Sequence, residues 1–293
     1  MNKNAPELLK VIKKEFSGEE DIKKVRRHYD EFYHSFSSDD SLRLLTEDDA
    51  PIPAQWIVTP HSSPQKVILF FHGGGFNMGS TYSHQDLCGQ LSKYTQFSVL
   101  SVDYRLAPEH PFPAAVEDCI NSYLWLLEEG FEAKDIVIAG LSAGGNLALS
   151  TLLALKKKEE LLPLGGIIMS PVVDLTFPIV YTHLKDVKDW IDYERMENMR
   201  DLYLQGQDPT NPLASPIYGE LEGLPPFLLQ AGSRELLLCD INRFRDLAVE
   251  KEVKVDLEVW QGMFHSWQMF FTHLPEAKAS LESAGEFVKS IMD

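Results

Sequence analysis

Cysteine is scarce in this chain: there are three in 293 residues, Cys88, Cys119 and Cys239, with no Cys-x-x-Cys pair and no histidine beside them at metal-ligand spacing. Neither a disulfide framework nor a zinc site is indicated, and a reducing compartment is the expectation. Basic charge is also short. Lys and Arg total 27 against 44 Asp and Glu, a formal net charge of −17. No long-range field then draws a nucleic-acid backbone or an anionic membrane to this surface, so neither is expected as a partner. The run Lys156, Lys157, Lys158 is followed at once by Glu159 and Glu160 and reads as a solvated helix end. Long apolar runs are missing too. Nothing approaches the roughly 18 residues of a membrane span, and the first 16 residues mix Lys and Glu among short apolar groups, without the roughly 7–15-residue apolar core of a secretory signal. A cytoplasmic protein is expected, and self-association is left open.

What is present is the material of a globular core, 44% hydrophobic and 24% charged. Residues 1–45 read as a polar helical arm, with Leu8, Leu9, Ile12 and Phe16 and then Val25, Tyr29, Phe32, Tyr33 and Phe36 at helical spacing. From residue 46 to 293 the pattern changes. Apolar stretches of strand length stand at 55–59, 66–71, 97–102, 136–139, 166–169, 227–230 and 255–259. Helix-length segments at 114–127, 143–155, 240–249 and 276–291 fall between or after them. Continuous rather than alternating apolarity predicts strands covered on both faces. The alternation predicts an α/β fold, with a mainly parallel central sheet and helices on both faces. Ligands in such sheets bind beyond the carboxyl ends of the strands. Residues 176–212 break the rhythm with charge and with Phe177, Tyr181, Trp190, Tyr193 and Tyr203, which predicts an inserted helical cap. Arm and insertion together would roof a pocket, their aromatics either lining it or packing the cap.

Two motifs carry chemistry. Gly140-Leu141-Ser142-Ala143-Gly144 lies directly after a strand and before a helix, the context in which G-x-S-x-G presents a nucleophile. The flanking glycines relieve crowding in a sharp turn and place the hydroxyl near the positive helix end; the plainer alternative is a helix-capping serine. His72-Gly73-Gly74-Gly75-Phe76 follows the strand KVILFF. Its glycines let backbone N–H groups converge on a developing oxyanion, joined by the N–H of Ala143. A phosphate cradle is disfavoured, since no G-K-[ST] follows and the spacing is not G-x-G-x-x-G. Of the nine histidines, His265 in GMFHSW lies just beyond the last strand and is the best general base; His72 more plausibly orients the glycine turn. The orienting acid should follow an intervening strand. Glu235, a few residues after FLLQ, is preferred to Asp240, which suits the start of the next helix.

The segments HGGGF at 72–76, SVDYRLAPEHPFPA at 101–114, GLSAGGNLAL at 140–149 and GMFHSW at 262–267 together resemble the hormone-sensitive-lipase-like esterases of the α/β-hydrolase superfamily. The likeness spans the chain from about Val67 onward. It implies hydrolysis of short- to medium-chain carboxylic esters by a serine carboxylesterase without metal or organic cofactor, through an acyl-enzyme on Ser142. It implies Gly74, Gly75 and Ala143 as oxyanion donors, with Gly73 completing the turn. Asp103, Arg105, Glu109 and His110 match a segment that braces the site. Two positions depart from the family: Leu141 stands where Asp is usual, and Glu235 where the usual acid is Asp. An amidase or formamidase with the same triad, and a non-catalytic small-molecule-binding protein on the same scaffold, are the alternatives.

Overall fold

The computed structural model describes residues 4–15, 21–36, 42–177 and 189–292. Its frame is an eight-stranded sheet of β1 (Arg43–Glu47), β2 (Ala54–Val58), β3 (Ser63–Phe71), β4 (Phe97–Val102), β5 (Ile136–Leu141), β6 (Gly165–Met169), β7 (Phe227–Gly232) and β8 (Val255–Trp260). The spatial order is β1-β2-β4-β3-β5-β6-β7-β8. β1 and β2 run antiparallel to their neighbours, and all pairings from β4 across to β8 are parallel. The helices are α1 (Asn4–Glu15), α2 (Ile22–His34), α3 (Thr81–Thr95), α4 (Ala114–Glu128), α5 (Ala143–Lys157), α6 (Tyr193–Leu204), α7 (Leu238–Glu250) and α8 (Pro275–Met292).

β3 shows why its sequence is continuously apolar. Successive strand residues point to opposite faces, and both faces are covered. Val67, Leu69 and Phe71 enter a core with side chains of α4, α5 and α7. Ile68 and Phe70 enter a second core with α3, α8 and the buried residues of α1 and α2. All five are fully buried, and each aromatic so placed contributes roughly 1.5–3 kcal/mol. The mainly parallel sheet with helices on both faces is the expected architecture, and the expected strands recur within a few residues.

Two elements escaped the sequence pattern. β1 begins inside the stretch read as a helical arm; Arg43, Leu44, Leu45 and Thr46 are all exposed, so no apolar periodicity marks it. α3 buries polar residues, among them Ser83, His84, Gln90 and Ser92, and this hides its helical face. Its start is nevertheless well specified: Ser80 and Ser83 form a reciprocal capping box. Of the expected insertion, residues 178–188 lie outside the described residues, Tyr181 and His183 among them. The remainder carries α6, capped by Asp192, whose side chain accepts from the N–H of Arg195. In the expected arm, residues 1–3, 16–20 and 37–41, including Phe16, are likewise outside. The lysine run closes α5, with Lys156 half-buried and Lys157 and Lys158 exposed.

Candidate active site

Ser142 occupies the one-residue turn between β5 and α5 with φ 57° and ψ −115°, a left-handed conformation that an L-residue holds only where its surroundings impose it. The flanking glycines make the turn feasible. A Cβ on Gly140 would collide with the carbonyl of Gly144, and a Cβ on Gly144 with the carbonyl of Phe71 at the end of β3. The Ser142 N–H donates to Met169 O (2.8 Å), tying the turn to β6. Ser142 stands at the N-cap position of α5, yet its side chain makes no capping hydrogen bond. The hydroxyl is directed instead to His265, with Oγ 2.7 Å from Nε2.

His265 lies in the loop after β8, its imidazole buried between two partners. Nδ1 is 3.3 Å from Glu235 Oε2. The Glu235 carboxylate is fully buried, and its other oxygen accepts from the Gly232 N–H (2.6 Å) and from the Ser170 hydroxyl (2.7 Å). Those two donors hold the carboxylate in one orientation. Asp240, the competing acid, lies in the first turn of α7. Burial pushes its carboxyl up to about 7, the charge of Asp174 adding to this and that of Arg243 opposing it. The geometry therefore brings Glu235, not Asp240, to the imidazole.

The glycine turn after β3 is organised by two other histidines. Gly73 N–H donates to His84 Nε2 (3.0 Å), and His72 Nδ1 lies 2.8 Å from Gly73 O. Burial holds both imidazoles below the ordinary histidine range. His72 also stacks on Tyr104, with ring centroids 4.1 Å apart, and Tyr104 OH donates to His72 O (2.8 Å). Gly74 and Gly75 adopt φ 120° and 59°. Among the described residues none accepts a hydrogen bond from the N–H of Gly74, Gly75 or Ala143. Ala143 opens α5, so its N–H also carries the positive end of the helix dipole.

These groups face a cavity of about 900 Å³ lined by Gly74, Gly75, Ser142 and His265 on the sheet side. Ile22, Val25 and Tyr29 of α2 and Trp190, Met196 and Met199 also line it, together with the charged Asp192, Glu194 and Arg195. The aromatics of the insertion divide between roles. Trp190 lines the cavity, whereas Tyr203 is buried and stacks on Phe76 with centroids 3.9 Å apart. The segment 101–114 braces the surroundings. Asp103 accepts from the Thr81 N–H (2.7 Å), Arg105 binds Asp118 and the Ala114 carbonyl, and Glu109 pairs with Arg26 of α2 (2.6 Å).

One buried carboxylate beside the site was not singled out in the sequence. Asp189 accepts from the backbone N–H of His265 (3.0 Å) and of Leu236 (2.9 Å). Burial pushes it up to about 6, opposed by His265 and by the N–H groups of Leu236 and His265 and reinforced by the charge of Glu235; the Trp190 N–H also donates to Oδ1 (2.8 Å). No motif marks it, because its partners are main-chain groups. Among the described residues no group of three or more His, Cys, Asp or Glu is arranged to hold a metal ion, and no helix is long and apolar enough to cross a membrane.

Residues 68–269 match the model of a family described as having the alpha/beta hydrolase fold. An esterase of Acinetobacter venetianus is 40% identical over 236 residues, covering 80% of this chain and 78% of its own. An acetyl-hydrolase of Streptomyces hygroscopicus is 38% identical over 238 residues, covering 81% and 79%. Among solved structures, an esterase of the bacterial hormone-sensitive lipase family superposes with a TM-score of 0.95 at 35% identity, over 100% of this chain and 99% of that one. The protein EstE5, in a crystal soaked with p-nitrophenyl butyrate, gives 0.94 at 34%, with the same coverage.

Proposed function

Because the chain belongs to the α/β-hydrolase-fold family, in its hormone-sensitive-lipase branch, and is a carboxylic ester hydrolase, we propose that it cleaves short- to medium-chain esters through an acyl-enzyme on Ser142. The observation that carries this reading is the continuous contact from Ser142 Oγ through the His265 imidazole to the buried Glu235 carboxylate.

In the acylation step His265 Nε2 takes the proton of Ser142 as Oγ bonds to the ester carbonyl carbon, whose oxygen becomes an alkoxide. Glu235 stabilises the resulting imidazolium and keeps its Nδ1–H directed inward. The amides of Gly74, Gly75 and Ala143 receive the alkoxide charge. Collapse of this adduct breaks the ester C–O bond, and His265 passes its proton to the departing alcohol. Water, deprotonated by His265, then attacks the acyl-enzyme, and the acid leaves as Ser142 regains its proton. Support for the oxyanion assignment is that the Gly73 amide is occupied by His84, while Gly74 and Gly75 line the cavity and among the described residues no acceptor takes their N–H groups.

In this reading the arm and the insertion, expected at 1–45 and 176–212, cap the hydrolase domain through α2 and the described part of the insertion, which line the cavity. β1 moves the start of the hydrolase domain from residue 46 back to Arg43. The apolar part of that lining, Ile22, Val25, Met196 and Met199, suits an acyl chain, as does the p-nitrophenyl butyrate soaked into the EstE5 crystal, while Glu15, Asp192, Glu194 and Arg195 give the same cavity charged groups. A reducing, cytoplasmic setting accords with three free thiols, one of them exposed on Cys239.

The test is hydrolysis of a p-nitrophenyl ester panel from acetate to laurate, together with labelling by a serine-reactive phosphonate. Loss of at least about three orders of magnitude in kcat on Ser142→Ala, with label mapped to Ser142, supports the mechanism. Near-normal turnover by that variant after rigorous purification refutes it. Faster turnover of anilides than of phenyl esters would reassign the chain to amide hydrolysis.

A further inference from the structure

His265 extends from one edge of the sheet. Among the described residues β8 pairs only with β7, and its residues are partly exposed. The loop that follows it contains Gly262 at φ 81°, with open space where a Cβ would stand. The loop is tied to the one after β7, with Gly262 N–H donating to Ser233 Oγ (2.8 Å) and Arg234 N–H to Met263 O (2.9 Å). A base held 2.7 Å from its nucleophile also depends on its own peptide, however, since a misplacement of about 1 Å can lower turnover by about a hundredfold.

That peptide is held by two consecutive residues of the insertion. Asp189 Oδ1 accepts the backbone N–H of His265 (3.0 Å), while the Trp190 indole N–H donates to the backbone carbonyl of the same residue (2.8 Å). Both main-chain polar groups of the base are thus occupied from the cap side. The second carboxylate oxygen, Oδ2, accepts the N–H of Leu236 (2.9 Å), the residue after Glu235. One buried side chain therefore joins the loop bearing the acid to the loop bearing the base. Resting on the Ser142 and His265 reading above, we propose that Asp189 and Trp190 form a positioning clamp that holds the His265 peptide, and through it the imidazole, in line with Ser142. The cap then has a second task besides walling the cavity: its docking aligns the base.

Asn at 189 has the shape of Asp but only one acceptor, so one of the two loops meets an NH2 group where it had an oxygen. Phe at 190 keeps a ring against His265 and removes the N–H. With p-nitrophenyl butyrate, Asp189→Asn should lower kcat by about 10–100-fold and Trp190→Phe by a smaller factor, each with KM changed less than about twofold. The double variant should lose less than the product of the two single losses, because both act on one peptide unit. Phosphonate labelling separates positioning from plain stability. The clamp predicts one label per chain, with the labelling rate constant reduced in parallel with kcat. Fewer labelled sites, each reacting at the unmodified rate, would overturn it. If Asp189→Asn does not fold, Trp190→Phe decides alone, and unchanged kcat in that variant would also overturn the clamp. Failure of the unmodified protein to label at Ser142 would instead overturn the nucleophile assignment, and the clamp with it.

Discussion

His84 Nε2 accepts the backbone N–H of Gly73, which requires a neutral imidazole carrying its proton on Nδ1, and Ser83 Oγ lies 3.0 Å from that nitrogen. The bond occupies the one amide of the glycine turn that is not assigned to the substrate oxygen. His84→Ala leaves that N–H buried and unpaired, a cost of about 1–3 kcal/mol, and frees the turn to rotate. The expected result is a fall of about 10–100-fold in kcat for p-nitrophenyl butyrate with KM little changed, on the scale of losing one oxyanion donor. Steady-state kinetics checks it, and an unaltered kcat contradicts it.

Gly144→Ala should be far more damaging than an ordinary glycine replacement within a first helical turn. The new methyl would be driven against the carbonyl oxygens of Phe71 and His72, so either α5 shifts or β3 does, and Ser142 moves relative to the glycine turn. A kcat loss of about a hundredfold or more is expected with a lowered Tm. Gly223→Ala is the control. Its φ is 76° but nothing stands within 4 Å of its Cβ position, so it should cost only the conformational strain and leave kcat intact.

Asp240 links stability to pH in an unusual direction. Its carboxyl titrates at about 7 in the folded protein, above the roughly 3.9 of an unfolded chain, so between those values the folded state holds a proton that the unfolded chain has released. Its contribution to stability is therefore lost as pH rises through that window, and the penalty is complete above about 7. Asp240→Asn should raise Tm over the unmodified protein at pH 8 and give no such gain near pH 4. Paired thermal melts across that range provide the measurement, and a gain independent of pH would count against the assignment.

Arg26 and Glu109 should contribute unequally although they are paired. Glu109 is 43% exposed, so Glu109→Gln is expected to cost under about 1 kcal/mol. Arg26 also donates to the backbone carbonyls of Asn77 (2.8 Å) and Ala107 (2.9 Å). Arg26→Ala strips all three contacts and should loosen α2 from the glycine turn. Limited proteolysis should cut within residues 1–45 faster in Arg26→Ala than in Glu109→Gln; equal rates would show that the carbonyl contacts do not hold the helix.

The sequence revealed the site best where function coincides with strand ends. Ser142 could be found because it follows an apolar stretch covered on both faces, and His265 because it lies just beyond the last stretch of strand length, although β8 is only partly buried. The choice between Glu235 and Asp240 was harder. Both follow β7 within a few residues, and only folding shows that the tight turn at Gly232 carries one carboxylate to the imidazole while α7 carries the other to Asp174. Asp189 and the bond from Gly73 to His84 left no trace, because their partners are backbone groups that every residue type possesses. β1 stayed hidden for a related reason, its hydrogen bonds being regular and its side chains exposed.

In the sheet, Phe71 of β3 pairs with Gly140 of β5. The chain segments bearing the two halves of the chemistry thus leave adjacent parallel strands at the same level. Their separation is inherited from the interstrand repeat of about 4.8 Å, one of the least variable lengths in protein architecture. Selection acting on the roof can widen, narrow or recolour the chamber while that ruler stays unchanged, which lets a new preference for acyl or alcohol groups arise without rebuilding the machinery beneath.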